Sequence, residues 1–183
     1  MARHTAFEVL YRDYYPRVFG LCRRLLGSGE LAEDATQETF MRAYKAFGKF
    51  DTEQPFWQWI AAIANNHCID VLRKRGRGDA LFHNKEGEET QMDELESLQQ
   101  PALSELLADE DARTLHEAIT ALPDKYRVPV VLAYFQDTSY ADIANTLDIS
   151  TSHVGVLLLR ARDRLKKQLS ASTSADSGAG VSQ

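Results

Sequence analysis

Cysteine is scarce in this sequence, and long hydrophobic runs are absent. The 183 residues include two cysteines, Cys22 and Cys68, which lie far apart without a C-x-x-C pattern, so neither a disulfide framework nor a zinc site is indicated. No apolar run approaches the ~18–20 residues that a membrane helix needs, and the first residues lack a signal-peptide hydrophobic stretch. We therefore expect a soluble, cytoplasmic protein without membrane insertion, metal or cofactor.

A positive net charge, which would favour a nucleic-acid partner, is also absent. The formal net charge is −6, which taken alone argues against nucleic-acid binding. The charge is distributed unevenly, however, because residues 79–111 carry −10 and leave +4 for the rest of the chain. Basic residues cluster within residues 73–77 and 160–167. The pattern is therefore two mildly basic regions separated by an acidic segment, which is compatible with nucleic-acid binding.

Hydrophobic periodicity predicts an all-α fold with two small helical domains. The first domain, residues 1–77, should contain three helices at about residues 5–26, 31–47 and 55–74, with a kink or break at Pro16. An acidic flexible linker is predicted over residues 78–104, and a second helical domain over residues 105–169. The tail, residues 170–183, is rich in Ser, Ala and Gly and is predicted to be disordered.

The second domain contains the pattern of a helix-turn-helix. Ser139 and Asp142 form a capping box at the start of a short helix. Asp148 lies at the turn that follows, where an Asp can adopt the left-handed conformation. Ser150 or Thr151 is expected to cap the next helix. Because this pattern directly precedes the basic cluster of residues 160–167, it predicts a DNA-binding helix-turn-helix.

A helical wheel divides the last helix into a buried face and an outward face. The predicted core stripe is Val154, Leu157, Leu158, Ala161, Leu165 and Leu169. The predicted outward residues are Ser152, His153, Val156, Leu159, Arg160, Asp163 and Lys167. Arg160 and Lys167 suit contacts with phosphates, whereas Ser152 and His153 suit contacts with base edges near the helix N-terminus.

The third helix of the first domain carries a line of side chains suited to melted nucleic acid. Trp59, Asn66 and Arg73 are spaced by seven residues, so they lie along one face, while His67 and Cys68 are expected on the buried face. A ring that stacks, an amide that bonds base edges and a guanidinium that meets phosphate suit single-stranded DNA. The alternative is that Trp59 packs into the helical bundle.

Catalysis is not indicated. Asp34 and Glu38 lie close together on the second helix, as carboxylates of an acid–base or metal site would, but no His or Cys ligand accompanies them. We therefore predict that the protein is not an enzyme.

Three groups of residues resemble the bacterial extracytoplasmic-function sigma factors of RNA polymerase. Residues 31–44, LAEDATQETFMRAY, closely resemble the polymerase-binding helix of that family. Residues 56–75 look like its −10-element helix. Leu122-Pro123, the stretch of residues 139–144 and residues 160–165 look like its −35-binding domain. The motifs follow the family's order and cover nearly all of the chain outside the linker and the tail.

The resemblance implies a sigma factor that binds core RNA polymerase, directs it to specific promoters and helps to melt the −10 region. Its region 2-like domain would occupy residues 1–77 and its region 4-like domain residues 105–169. The implied polymerase contacts are Asp34, Gln37, Glu38, Phe40 and Arg42. The implied −10 contacts are Phe50, Trp59, Asn65, Asn66, Arg73, Lys74 and Arg75. The implied −35 contacts are Ser150, Thr151, Ser152, His153, Arg160, Arg162 and Lys167. An anti-sigma factor is a further implied partner.

Two other functions stay open at the level of sequence. A stand-alone helix-turn-helix regulator would bind duplex DNA without polymerase. A sequestering protein would use Val156 and Leu159, which hold positions where the resembled family often has polar residues. The sequence leaves open whether these two side chains contact DNA, protein or solvent.

Overall fold

A computed structural model describes residues 2–76, 81–82 and 112–176 of the chain. The secondary structure of these residues is helical, with no strand among them, which confirms the predicted all-α fold. The chain divides into two compact units, Met1–Asp79 and Ala80–Gln183. Within the described ranges, no helix has the length and apolar character needed to cross a membrane.

The first unit is a bundle of three helices that pack against one another. Helix α1 spans Ala2–Leu26, α2 spans Gly29–Ala46 and α3 spans Phe56–Arg75. Gly27 ends α1 in the left-handed conformation, with φ of 68°, which suits a residue without a Cβ. Ser28 then caps α2, because its hydroxyl accepts a hydrogen bond from the Leu31 N–H at 3.4 Å. One short turn thus reverses the chain.

Proline does not interrupt the first helix. The sequence predicts a kink or break at Pro16, but α1 runs through this residue as one helix. A proline removes one backbone hydrogen bond from the helix. The packing of α1 against α2 and α3 offsets this loss.

Small side chains allow the three helices to approach closely. Helix α2 buries Ala32, Ala35, Thr36, Thr39, Phe40 and Ala43. The two buried threonine hydroxyls donate to backbone carbonyls four residues earlier, at 2.6 Å for Thr36 and 2.7 Å for Thr39, so their polarity carries no unmet desolvation cost. Cys22 and Cys68 are both fully buried, as predicted for Cys68. His67 is only half-buried, which corrects its assignment to the core.

The second unit is built around one long helix. Helix α4 spans Ala112–Thr120, α5 spans Asp124–Val130 and continues as a π-helix over Val131–Phe135, α6 spans Tyr140–Leu147 and α7 spans Thr151–Asp176. Helix α7 packs against α4, α5 and α6. Its predicted core stripe is confirmed, since all six residues are buried.

A buried arginine closes the turn between α4 and α5. Arg127 is 5% exposed, and its guanidinium donates to the carbonyl of Leu122 at 2.9 Å and to that of Thr120 at 3.3 Å. It also forms an ion pair with Asp124. These charge-assisted bonds satisfy carbonyls that the end of α4 leaves without helical partners.

Ser139 and Ser150 cap the two helices of the helix-turn-helix, as the sequence predicts, but the Asp142 carboxylate bonds the Ser139 hydroxyl and not the backbone as in a full capping box. Ser139 caps α6, since its hydroxyl accepts from the Asp142 N–H at 3.1 Å and donates to the Asp142 carboxylate at 2.6 Å. Asp148 adopts the left-handed conformation at φ 57° and ψ 49°. Ser150 caps α7 by accepting from the His153 N–H at 3.2 Å. The local chemistry of the turn therefore sets where the two helices end and begin.

Two boundaries differ from the sequence-based expectation. Helix α7 continues to Asp176, so the first part of the predicted disordered tail, residues 170–183, is helical. Ser, Ala and Thr do not break a helix, and the first glycine of the tail stands at position 178. Within the predicted linker, residues 78–104, Phe82 is buried in the second unit. Residues 77–80, 83–111 and 177–183, which include the rest of the linker apart from Leu81, lie outside the described residues.

Candidate polymerase and nucleic-acid interfaces

The predicted polymerase contacts lie along helix α2, but they differ in exposure. Asp34, Gln37 and Arg42 are exposed, Glu38 is partly exposed and Phe40 is 3% exposed. Arg42 Nε lies 2.7 Å from Glu38 Oε1 one turn away. The hydrogen bond from Arg42 holds the pKa of the Glu38 carboxyl below its usual value. The pair therefore presents both charges at neutral pH.

An apolar groove lies beside these charges, between α1 and α2. It encloses about 550 Å³ and is lined by Phe7, Tyr11, Gln37, Phe40, Met41, Tyr44 and Lys45. Met41 is 53% exposed and Tyr44 is 42% exposed. Large apolar side chains that remain half-exposed beside a groove are typical of a protein-binding surface. The site residues predicted from the sequence omit Met41 and Tyr44, although their apolar character on the charged face of α2 could have identified them.

Phe40 forms the floor of this groove. Its ring lies 4.7 Å from that of Tyr11, 6.2 Å from that of Tyr15 and 6.3 Å from that of Phe7. The contact with Tyr15 is stacked and the other two are tilted or edge-on. Aromatic contacts of these kinds add to the stability gained from burial. Phe40 therefore shapes the groove from beneath.

The predicted −10 residues cluster at α3 and the loop before it. The rings of Phe50 and Trp59 are 4.8 Å apart, and that of Phe56 lies 5.6 Å from Phe50. Both Phe50 and Trp59 remain partly exposed. Part of the Trp59 ring therefore packs against the bundle, and the rest is exposed to solvent. The buried part fits the interpretation that Trp59 packs into the bundle, and the exposed part leaves ring surface on which a base could stack.

The loop that carries Phe50 towards α3 is folded on itself. The Asp51 carboxylate accepts from the Glu53 N–H at 3.0 Å, and the Asp51 carbonyl accepts from the Gln54 N–H at 3.1 Å. Such an Asx-type turn fixes the backbone locally. The loop side chains from Asp51 to Pro55 are exposed, so they can meet a ligand held against the aromatic cluster.

Polar and basic side chains complete this surface along α3. Asn66, Lys74 and Arg75 are exposed, whereas Asn65 and Arg73 are partly buried. The three basic residues occupy the last turn of α3, where the helix dipole favours positive charge. The C-terminal end of α3 therefore presents a compact cationic site.

His67 lies at the edge of the first-unit core and carries no assigned role. Burial, followed by the positive charge of Arg42, lowers the pKa of His67 below its usual value. Among the described residues, its Nδ1 atom is buried and has no hydrogen-bond partner. At neutral pH the lowered pKa favours the uncharged imidazole.

The predicted −35 residues lie at the start and along one side of α7. Ser150, Thr151, Ser152 and Lys167 are exposed, whereas Arg160 and Arg162 are partly exposed. Arg162 also lies 3.5 Å from the Asp163 carboxylate. The exposed hydroxyls at the helix N-terminus and the bases further along suit base and phosphate contacts respectively.

Two residues of α7 depart from the predicted outward face. Val156 is 9% exposed, so the prediction that it faces outward is wrong. His153 is partly buried, and its Nε2 lies 2.9 Å from the carbonyl oxygen of Phe82. Since a carbonyl oxygen can only accept, Nε2 carries the hydrogen and donates it.

Known proteins match the chain in both units. The family model for sigma-70 region 2 matches residues 10–78, and that for sigma-70 region 4 matches residues 112–165. The ECF RNA polymerase sigma factor SigW of Bacillus subtilis is 34% identical over 166 residues, which cover 90% of this chain and 89% of SigW. The chain belongs to the extracytoplasmic-function sigma factors of RNA polymerase.

Further comparisons agree with this assignment. The RNA polymerase sigma-H factor of Pseudomonas aeruginosa is 32% identical to this sigma factor, over 90% of the chain and 86% of its own length. The solved sigma factor RpoE from Bartonella quintana, in complex with the anti-sigma factor NepR, matches with a TM-score of 0.57 and 20% identity. It covers 90% of this chain and 97% of its own, and shows the same fold.

The candidate surfaces of this sigma factor fall in different matched regions. The region 2 match includes all of α2 and α3, and the region 4 match includes α7 as far as residue 165. A stand-alone helix-turn-helix regulator is not favoured, because the relatives match across both units rather than the second alone.

Proposed function

We propose that three surfaces of this sigma factor have distinct binding roles in promoter recognition. The α2 groove binds core RNA polymerase, the α3 surface holds the melted −10 strand, and α7 contacts the −35 duplex. The observation that carries the proposal is that all three surfaces occur on one chain whose two units match regions 2 and 4. The protein would act in the cytoplasm as an initiation factor, without enzymatic activity of its own.

Polymerase binding is assigned to the α2 groove because it combines apolar area with paired charge. Met41 and Tyr44 supply half-exposed apolar surface, and the Glu38–Arg42 pair lies on the same helix. Apolar side chains at the centre with polar groups around them are the usual composition of a stable protein interface. Gln37 lines the groove itself, where its amide can orient the partner.

The −10 strand is assigned to α3 and the loop before it, because together they carry ring surface for stacking and positive charge. The Phe50–Trp59 cluster offers partly exposed ring surface for an unstacked base. The exposed Asn66 amide can bond a base edge, and Lys74 and Arg75 can meet the backbone phosphates. Aromatic stacking beside a cationic track is the common solution for single-stranded DNA.

The −35 duplex is assigned to the start of α7. The helix N-terminus carries partial positive charge and exposed hydroxyls at Thr151 and Ser152. Arg160 and Lys167 lie further along the helix and suit phosphates on either side of the groove. This geometry matches a recognition helix that enters DNA with its N-terminal end.

An anti-sigma factor is proposed as a further partner. The family resemblance implies one, and the Bartonella relative was solved with such a protein. We expect that an anti-sigma candidate from a neighbouring gene lowers transcription when it is added at equal concentration to the reconstituted holoenzyme. Unchanged transcription with every such candidate would count against this part of the proposal.

A salt titration tests the assignment of the −10 strand. The double variant Lys74→Ala and Arg75→Ala should bind a single-stranded −10 oligonucleotide less tightly, when measured in holoenzyme. Each phosphate contact contributes about 0.7 to the slope of log affinity against log salt concentration, so the slope should fall by roughly 1.4.

Arg12→Ala is the matched control, because Arg12 is an exposed cation on α1, outside α3 and the loop before it. Its salt slope should equal that of the wild type. An unchanged slope in the double variant would refute the assignment.

A further inference from the structure

Phe82 is an aromatic residue from the predicted linker that is buried in the second unit. It is 1% exposed, and it falls within the second compact unit. The residues that surround it in sequence are strongly acidic, since residues 79–111 carry a net charge of −10. A buried aromatic residue in such a segment indicates a specific docking contact rather than a passive spacer.

The docking contact lies at the end of α7 that is proposed to read DNA. The Phe82 carbonyl accepts a hydrogen bond from His153 Nε2 at 2.9 Å, and His153 is the third residue of α7. Its ring is partly buried. While this bond exists, the Nε2–H is committed to the linker backbone and is not available to a base edge.

Burial extends one turn further along the same face. Val156 follows His153 by three residues, which places the two side chains on one side of the helix. The helical pattern predicts that Val156 faces outward, yet it is 9% exposed. The recognition end of α7 thus presents less surface to a ligand than the helix alone would.

We propose that Leu81–Phe82 is a latch that docks on the N-terminal end of α7 in the free sigma factor and competes with −35 DNA. The inference rests on the proposed role of α7 in −35 binding. Release of the latch would free the His153 ring for DNA.

The latch predicts that the free protein binds DNA weakly, because the closed form cannot bind. If only a fraction of molecules is open, the apparent dissociation constant for DNA rises in proportion to the inverse of that fraction. The free protein would therefore bind promoter DNA poorly.

The first test measures binding of a duplex that carries the upstream promoter element, selected from a random-sequence library with reconstituted holoenzyme. Full-length Phe82→Ala should bind this duplex about tenfold tighter than the wild type in fluorescence anisotropy, because it loses the anchor of the latch. Phe135→Ala is the matched control, since Phe135 lies in the same unit and is 38% exposed. Its affinity should stay within about twofold of the wild type.

A second measurement covers the case in which Phe82 is a permanent part of the core. The protein is labelled with 4-fluorophenylalanine, and the Phe82 resonance is assigned by its loss in Phe82→Leu. We expect this resonance to move to the position of a solvent-exposed ring when the duplex is added at saturation. A resonance that stays unchanged in the DNA complex would overturn the latch, as would a Phe82→Ala variant that binds no tighter.

Transcription separates failure of the latch from failure of the proposed function. If core polymerase initiates at specific promoters with the wild type while Phe82→Ala shows no gain in duplex affinity, the latch is refuted and the function stands. If neither protein supports promoter-specific initiation, the proposed function is refuted and the latch falls with it.

Discussion

Replacement of Met41 by alanine should weaken polymerase binding without weakening the fold. Full burial of a methionine side chain contributes about 1.5–3 kcal/mol, and 53% of Met41 is exposed in the free protein. Docking that covers this exposed part therefore contributes about 1–1.5 kcal/mol, which corresponds to roughly a tenfold change in Kd. The free energy of unfolding should change by less than about 0.5 kcal/mol, as for most surface positions.

Phe40 should behave in the opposite way, although the family resemblance implies that it contacts polymerase. It is 3% exposed and packs against Tyr11 and Phe7. Truncation of such a core ring costs about 3–5 kcal/mol. Phe40→Ala should therefore lower the free energy of unfolding strongly, and any loss of polymerase binding would follow in part from that destabilisation.

The assay combines urea denaturation with titration of labelled sigma factor by core polymerase. Val9→Ala is the matched control, because Val9 is 45% exposed on α1 and does not line the groove. Its Kd should equal that of the wild type. The reasoning is refuted if Met41→Ala binds core polymerase as tightly as Val9→Ala does, or if it destabilises the fold as much as Phe40→Ala.

Three further predictions concern stability and buried groups. Arg127→Ala should lower the free energy of unfolding by about 2–3 kcal/mol, because buried carbonyls lose charge-assisted bonds. Arg113→Ala, which removes an exposed ion pair, should change it by less than about 0.5 kcal/mol in the same urea titration. The lowered pKa of His67 means that its contribution to stability is present above the unfolded pKa of about 6.5 and is lost as pH falls towards the folded pKa. His67→Gln should therefore lose less stability than the wild type between pH 7.5 and 5.5 in urea titrations, and an equal loss would contradict the assignment. Cys22 and Cys68 are fully buried, and their mutual hydrogen bond together with burial raises the pKa of Cys68. Neither thiol should react with Ellman's reagent in the native protein and both should react in guanidinium, so rapid native labelling would show that the core opens.

The elements that the sequence predicts are those with a local cause. The core stripe of α7 follows from apolar spacing at three and four residues. The start of α6 follows from the hydroxyl of Ser139, and its end from the tolerance of Asp148 for the left-handed conformation. Each of these features depends on residues within one or two turns, so a single sequence is enough to find them.

The features that the sequence does not predict depend on contacts between distant residues. Phe82 and His153 are 71 positions apart in the chain, and no periodicity connects them. The π-helix that begins at Val131 follows Pro129, which lacks the N–H that a regular turn would use. The spacing of apolar residues does not predict this change from α-helical to π-helical hydrogen bonding.

The sequence predicts helix α2 but not which of its large side chains stay exposed. Phe40 and Met41 are neighbours, and successive residues on a helix point about 100° apart. One side chain therefore enters the core while the next remains at the surface. Which of the two is buried depends on where α1 packs, and this is a property of the folded bundle.

The most direct test of the central claim is transcription by core RNA polymerase with and without this sigma factor. Full-length protein is added to core enzyme and a genomic DNA library, and the 5′ ends of the transcripts are mapped. We predict discrete start sites that share an upstream element and a −10 element and that vanish when the protein is omitted. Start sites that are the same with and without the protein, or an absence of transcripts from any promoter, would contradict the account.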